Sequence, residues 1–411
     1  MLELPKVYGK DKAFVITSFI YILYVVFPLF ADLTNIPVEV PALLVVSVIT
    51  LLYCEVYNKK PVVCVFIYAL MLIIYSLADA YVHINGINGS LPVWWRIMIE
   101  IAWILPPLLI AVVLWMKNDK DLFMFFGYGS LAILVISFIY ILPFLITSKN
   151  ILREAENFNE MFRPIGLPGY DLMHSYTLVL VPLCYMLRMS LDKKKQFLIL
   201  FTLTVLFFYI VVQTAVTTSL IVSCCIFLFM FLYSEQNNAT VILKLGFLGV
   251  LLYVLYQLGF FFWLVDALIP IFDGTAVSYK LRDFHDSMVS GSVQGESIIG
   301  RMSYHQVSKD AFFENPILGT GRAGGHSKIL DILGSMGLLV FIPYFAIIWN
   351  IMKMQIFSTS TQMAAAFIVC GYFSAAIYLY EKGIFGAPGY LIMMVIVPSI
   401  IKAFESEDYE L

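Results

Sequence analysis

The residues best suited to chemistry lie in positions 266–328, the longest polar stretch of a mostly apolar chain. Within this stretch, Arg301 precedes a segment of helical pattern, and His326 follows the turn Asn315-Pro316 and a run of glycines. Arginine presents a planar fork of donors that binds phosphate oxygens bidentately and keeps its charge. Histidine is the side chain best suited to accept a hydroxyl proton near neutral pH. These residue types favour a site for a phosphorylated or pyrophosphate lipid; a surface loop with ordinary ion pairs is the alternative.

The chain between Arg301 and His326 also predicts how these side chains are held. Apolar residues recur between Met302 and Phe312 as they do on a short amphipathic helix, which Asn315-Pro316 ends. Glycine has no Cβ, so a run of glycines permits close backbone approach and flexibility. We therefore expect a flexible, close-approach backbone just before His326, built from Gly319, Gly321, Gly324 and Gly325.

A second polar stretch, 147–170, carries the lone arginine Arg163 after an acidic run. A Pro/Gly-rich segment then leads into the next apolar run, and His174 lies near the start of that run. An arginine at such a place commonly extends its charge to the membrane surface or pairs with a neighbouring acid. That interpretation stays open beside a substrate-binding role.

Two further pairs of charged residues border apolar segments. Arg96 and Glu100 are four residues apart, so we predict an intrahelical ion pair, with an acceptor-site role as the alternative. Glu381 and Lys382 open a Gly/Pro-rich turn between the last two apolar segments. For this second pair, a capped turn and a functional role are both open.

The composition indicates what must position these residues. Hydrophobic residues make up 61% of the 411 and charged residues only 13%, whereas soluble proteins carry about 25% charged residues. A net charge of −3 gives no reason to expect nucleic acid as a partner. The six cysteines lie in or beside apolar runs and are interpreted as small hydrophobes. We therefore expect a single integral membrane domain over residues 1–411.

Apolar runs of membrane-spanning length define the predicted fold. A span needs roughly 17–25 mostly apolar residues. Such runs predict an all-α protein with about twelve transmembrane helices, near 13–33, 38–56, 61–79, 94–116, 122–146, 171–188, 197–213, 215–233, 241–265, 329–352, 362–380 and 385–401. Short helices in the loop 266–328, between the ninth and tenth spans, are expected to carry the catalytic region.

The distribution of Lys and Arg predicts the orientation. With the N-terminus inside, fourteen of the 25 lie in cytoplasmic segments and five lie in short outer loops. Both termini are then cytoplasmic, and the loops 147–170 and 266–328 face outward. All five histidines fall on the outer face or at its edge, which predicts extracytoplasmic chemistry. The tendency of histidine to avoid lipid is the alternative explanation.

Several common catalytic motifs are absent from the sequence. It contains no Walker loop, no dinucleotide fingerprint and no paired-histidine zinc motif. Their absence argues against ATP-driven transport, and we expect neither a metal nor a cofactor.

The segment from Arg301 through Asn315-Pro-Ile-Leu-Gly-Thr-Gly321 to His326-Ser327 resembles the O-antigen polymerase and O-antigen ligase superfamily. In that family an outer arginine precedes a helix, an NP-x-x-G-x-G turn, and a His-Asn or His-Ser pair that leads into a span. Arg163-Pro-Ile-Gly166, with His174, resembles the family's first outer arginine. The sequence departs from the family at 213–218, where members often carry a Ser/Thr-Arg pair. It also carries Val340 where the ligases have a small residue.

The resemblance implies a metal-independent, inverting glycosyltransferase of the GT-C type in the bacterial inner (plasma) membrane. Donor and acceptor would both be undecaprenyl-pyrophosphate-linked glycans, and a chain-length regulator protein is a further implied partner. His326 would activate the acceptor hydroxyl. The pyrophosphate would be held by Arg301 and Arg163, helped by Arg322 or Arg282, and further substrate contacts would come from Tyr304, His305 and His174.

Two reactions fit the resemblance. A polymerase transfers the glycan onto another lipid-linked repeat unit, whereas a ligase transfers it to lipid A core or another terminal acceptor. The form Gly324-Gly-His-Ser-x-x-Leu-Asp331 looks more like the polymerases, and the departures at 213–218 and Val340 weaken the ligase case. A polysaccharide flippase or other secondary transporter is the alternative from another class. It is disfavoured because we detect no internal repeat and the charges cluster in one loop.

Overall fold

The computed structural model describes residues 9–27, 36–77, 93–147, 170–213, 216–233, 250, 253–255, 257–274, 276–290, 296–381 and 386–407. Every regular element within these ranges is helical. The main helices are α1 (Gly9–Val26), α2 (Glu39–Leu52), α3 (Lys60–Leu77), α4 (Val93–Lys117), α5 (Lys120–Thr147), α6 (Tyr170–Met189), α7 (Lys194–Gln213), α8 (Thr217–Leu232), α9 (Phe260–Ile271), α10 (Ala276–Ser290), α11 (Glu296–Glu314), α12 (Lys328–Phe357), α13 (Gln362–Glu381), α14 (Ala387–Leu391) and α15 (Val397–Glu407). A short 3-10 helix, Cys54–Asn58, joins α2 to α3, and a π-helical turn, Ile392–Ile396, joins α14 to α15.

The apolar helices are those of a membrane protein. Within the described ranges, seven helical segments are long and apolar enough to cross a membrane: Lys60–Leu77, Ile97–Lys117, Lys120–Ile146, Lys194–Gln213, Lys328–Phe357, Gln362–Glu381 and Ala387–Glu405. Four apolar helices are shorter: Glu39–Leu52, Tyr176–Met189, Thr218–Leu232 and Phe262–Ile271. The all-α membrane class is confirmed, and the count of about twelve spans stays a prediction. About half of the predicted ninth span, 241–265, lies outside the described residues.

The stretch predicted as a long loop, 266–328, is largely helical where it is described. α9 begins at Phe260, inside the predicted ninth span, and packs against α10. α11 packs against α12 and ends at Glu314, where Asn315-Pro316 was predicted to end it. The Asn315 side chain then accepts a hydrogen bond from the Leu318 amide at 3.2 Å, which closes the turn.

The rest of the bundle supports α12 and the last helical segment. α12 packs against α3 and α13 as well as α11, while α15 packs against α5 and α6. Of the seven long segments, Ala387–Glu405 is the most buried. Gly127 on α5 permits this close packing, because a Cβ there would lie 2.8 Å from the Ser399 carbonyl oxygen. Only a few residues join α12 to α13, so the start of α12 and the end of α13 lie at the same end of the bundle.

Candidate functional site

A break inside α12 shapes the candidate site. Gly337 has a φ of 64° and a ψ of −166°, which interrupts the regular hydrogen bonding of the helix. The turn after α11 supplies the missing partners through four backbone hydrogen bonds: Thr320 N to Gly334 O (3.0 Å), Gly321 N to Ser335 O (2.9 Å), Leu338 N to Pro316 O (2.9 Å) and Leu339 N to Ile317 O (3.2 Å). A left-handed φ favours glycine, and a Cβ at 337 would also lie 2.4 Å from the Ile317 carbonyl oxygen. The turn and the broken helix therefore form one unit.

Glycines allow this turn to approach its neighbours closely. A Cβ on Gly319 would lie 2.3 Å from the Ser335 carbonyl, and a Cβ on Gly324 would lie 2.0 Å from the Tyr304 carbonyl oxygen. The Gly324 amide also donates to Ser308 Oγ at 2.8 Å. The predicted close approach is thus confirmed. The contacts do not support the expected flexibility. Backbone amides and carbonyls of the broken helix form hydrogen bonds with the turn and hold it in place.

Asp331 organises the segment that carries His326. Its buried carboxylate accepts hydrogen bonds from the Ser308 hydroxyl (2.7 Å, Oδ1), the Gly325 amide (3.2 Å, Oδ1) and the Ser327 amide (3.2 Å, Oδ2). Hydrogen bonds to a charged acceptor are stronger than neutral ones. The residues on both sides of His326 are therefore fixed to the same carboxylate. Sequence reasoning gave Asp331 no role of its own beyond its place in the polymerase-like pattern.

His326 lies against α11. Its ring centroid is 4.6 Å from that of Tyr304, with the planes tilted by 44°. Arg301 lies three residues before Tyr304 on the same helix, so the two residues share one face of α11. The structure describes the backbone of Arg301 but not its side chain. The fold therefore brings His326 and Tyr304 into contact and puts the Arg301 backbone one turn away.

His305 contacts a different helix. Its ring centroid is 5.2 Å from that of Tyr380, at the end of α13. The Nε2 atom of His305 is buried and has no hydrogen-bond partner among the described residues. Buried polar atoms without a partner are uncommon. The role of His305 as a substrate contact stays a prediction.

Arg322 and Arg282 are both exposed and both paired with acids. Arg322, in the turn before His326, pairs with Glu314 and is 56% exposed. Arg282 lies on α10 and contacts Asp273 at 3.0 Å. Exposed ion pairs of this kind contribute only about 0–1 kcal/mol, so a phosphate can readily replace either acid. Arg322 belongs to the same turn as His326, whereas Arg282 belongs to the α9–α10 hairpin.

The roles of two predicted site residues, Arg163 and His174, stay predictions. Arg163 lies outside the described residues, as do positions 148–169 around it. His174 lies in α6, but its side chain is outside the described set. Across the ranges that the structure describes, no three His, Cys, Asp or Glu side chains form a group that could hold a metal ion.

A buried ion pair lies directly after His326 in the chain. Lys328, the first residue of α12, pairs with Oε1 of Glu100 on α4, and both side chains are about nine-tenths buried. We predicted an intrahelical pair between Arg96 and Glu100; the partner that the structure shows for Glu100 is Lys328, and the Arg96 side chain is outside the described set. A cation at a helix N-terminus is destabilised by the positive end of the helix dipole. Glu100 compensates it, and no local spacing could have revealed a partner 228 residues away.

Comparisons with known proteins give no assignment. No family model matches the chain, and a search of curated proteins returns no match. The case for a function therefore depends on the residues and their geometry.

Proposed function

We propose that this chain is a glycosyltransferase that lengthens a lipid-linked glycan at the outer face of a bacterial plasma membrane. The donor is an undecaprenyl-pyrophosphate-linked glycan, and the acceptor is the non-reducing end of a second lipid-linked repeat unit. One observation carries the proposal: the backbone around His326 is anchored to Asp331, and its ring lies against Tyr304 on the helix that bears Arg301. A histidine that can accept a proton is thereby held against a helix that carries an arginine, at one end of an apolar bundle.

In the proposed reaction, His326 takes the proton of the acceptor hydroxyl. The acceptor oxygen forms a bond to the anomeric carbon of the donor while the bond from that carbon to the pyrophosphate oxygen breaks. The electron pair leaves with the lipid pyrophosphate, and the configuration at the anomeric carbon is inverted. A preorganised histidine contributes to such a step because the proton moves as the new bond forms.

Arginine provides the second half of the chemistry. The leaving pyrophosphate gains negative charge, and fixed cations near that charge lower the barrier. Arg301 and Arg163 are assigned to this role, with Arg322 as the helper because its turn also carries His326. Arg322 is paired with Glu314. Binding of the donor would replace that exposed pair with a bidentate contact to phosphate.

The geometry gives physical reasons for the motif on which the resemblance depends. Asn315-Pro316 ends α11, and Gly319 and Gly324 lie where a Cβ would collide with backbone. Ser327 accepts from the Leu330 amide at 3.2 Å and so caps the helix that follows. The motif residues together deliver His326 to α11, which supports the resemblance as a structural one.

The glycan of a strain that lacks the gene tests this proposal. Loss of a polymerase leaves single repeat units, on the lipid carrier and on the final acceptor. Loss of a ligase leaves long chains on undecaprenyl pyrophosphate, and loss of a flippase leaves lipid-linked units on the cytoplasmic side. We expect the first pattern; the second would reassign the chain to the ligases, and the third would overturn the glycosyltransferase proposal.

A further inference from the structure

A large apolar cavity opens at the other end of the bundle, between α6, α7 and α8. Its volume is 430 Å³, and most of its lining is aromatic or aliphatic, including Phe197, Phe201, Phe208, Phe227 and Met230. Phe201 is 50% exposed and Phe231, which also lines the cavity, is 70% exposed, so this face is open to its surroundings. On a membrane protein such a face meets lipid, and the cavity has room for part of an acyl chain.

One fixed cation lies at the wall of this cavity. The guanidinium of Arg188 donates to the carbonyl oxygens of Met230 and Tyr233, both at 2.8 Å, and lies 5.6 Å from the Tyr233 ring centroid. These carbonyls belong to the C-terminal end of α8, where a cation is favoured by the helix dipole. Arg188 is thus held in place by protein groups that carry no full negative charge.

A second cation lies on the cavity-lining face of α7. Lys194, Phe197, Phe201, Thr204 and Phe208 follow one another at intervals of three, four, three and four residues, which places them on one face of the helix. Lys194 is therefore one turn before Phe197, on the side of α7 that lines the cavity. Lys195 is rotated by about 100° from Lys194, away from that face. Both lysines are exposed.

The cavity and the candidate catalytic site lie at opposite ends of α13. Tyr233, which holds Arg188, has its ring 6.1 Å from that of Phe367, near the start of α13. His305 contacts Tyr380 near the end of the same helix. The thirteen residues from Phe367 to Tyr380 rise by about 20 Å. A ligand in the cavity is therefore distinct from a substrate at His326.

We propose that this cavity binds an anionic phospholipid of the leaflet opposite to the candidate catalytic site. One acyl chain lies along the phenylalanine-lined face of α7 and α8, and the phosphate lies between Arg188 and Lys194. Arg188 in the wall and Lys194 one turn before Phe197 favour a negative headgroup over a zwitterionic one. The lipid stabilises the α6–α7–α8 packing by filling the cavity. This inference does not depend on the proposed glycosyltransferase activity.

The test uses the full-length protein, purified in detergent and examined by native mass spectrometry. Phosphatidylglycerol or phosphatidylcholine with identical acyl chains is added at equal concentration. We expect tighter retention of phosphatidylglycerol, and a loss of roughly fivefold in its affinity for Lys194→Ala, as is typical for one basic residue at an anionic surface. Lys195→Ala is the matched control and is expected to bind as the unchanged protein does.

A second variant tests the cavity itself. Val205→Trp places a large side chain in the lining and should weaken both lipids, while size-exclusion chromatography confirms that the variant is folded. Equal retention of the two lipids by the unchanged protein would overturn the proposal. An equal loss for Lys194→Ala and Lys195→Ala would also overturn it, since that result means diffuse attraction to the surface. Neither result bears on the activity at His326.

Discussion

The hydroxyl of Ser308 donates a 2.7 Å hydrogen bond to Oδ1 of Asp331, and both side chains are buried between α11 and α12. The same carboxylate accepts hydrogen bonds from the backbone amides of Gly325 and Ser327. Through these bonds, the helix that bears Arg301 and the residues that flank His326 are held by one charged group. We therefore assign Asp331 a positioning role.

Replacing Asp331 with asparagine should lower kcat while changing the KM for the lipid-linked donor little. The NH2 group of asparagine would face a hydroxyl or amide that donates a hydrogen bond to the carboxylate in the unchanged protein. Loss of a buried hydrogen bond of this kind costs about 1–3 kcal/mol. Steady-state assays and thermal unfolding in detergent measure both effects. Asp310→Asn is the matched control, because Asp310 is exposed on α11 and accepts from the neighbouring Gln306 side chain. An Asp331→Asn variant with unchanged kcat would refute the positioning role.

Gly324→Ala should destabilise the protein strongly and Gly300→Ala should not. The added Cβ at 324 would meet the Tyr304 carbonyl oxygen at 2.0 Å, whereas a Cβ at 300 meets nothing within 4 Å. Gly300 lies inside α11, where alanine is favoured over glycine by about 1 kcal/mol. Thermal unfolding of the two variants should therefore shift in opposite directions. Equal melting temperatures would show that the turn does not pack against α11 as described.

Sequence patterns predicted the features that depend on local spacing. Apolar runs and proline predicted the helical class, the end of α11 before Asn315-Pro316 and a span starting near 329, where α12 begins at Lys328. The break at Gly337 could not be predicted, because its φ is tolerated only where a separate turn supplies hydrogen-bond partners. The Glu100–Lys328 pair and the Asp331 contacts depend on helix packing between distant parts of the chain. No pattern in one sequence carries that information.

Breaking the buried pair between Glu100 and Lys328 should destabilise the bundle. Lys328→Met would leave the Glu100 carboxylate buried without its cation, and loss of one partner of a buried pair costs about 3–5 kcal/mol. The double variant Glu100→Gln/Lys328→Met removes both charges and should recover much of that loss. Unfolding in detergent across this double-mutant cycle measures the coupling. Additive effects of the two changes would mean that the residues do not interact.

Arg322→Ala should raise the KM for the lipid-linked donor more than Arg282→Ala does. Both arginines form exposed ion pairs, so neither change should lower stability by more than about 1 kcal/mol. Only Arg322 shares the turn that carries His326, whereas Arg282 contacts Asp273 near the end of α9. The KM for the donor, measured for both variants, shows which of the two arginines acts in donor binding. A larger effect from Arg282 would move the α9–α10 hairpin into the donor site.

The most direct test of the central claim compares His326→Ala with His285→Ala in the purified protein, in the presence of a metal chelator. His285 is a second histidine of the 266–328 stretch, and its imidazole nitrogens each lie 3.2 Å from Asp266 or Asp286. With lipid-linked repeat units as the only substrate, the unchanged protein and His285→Ala should form chains of many repeats. His326→Ala should form none, while it still binds the donor. Full chain growth by His326→Ala would contradict the account.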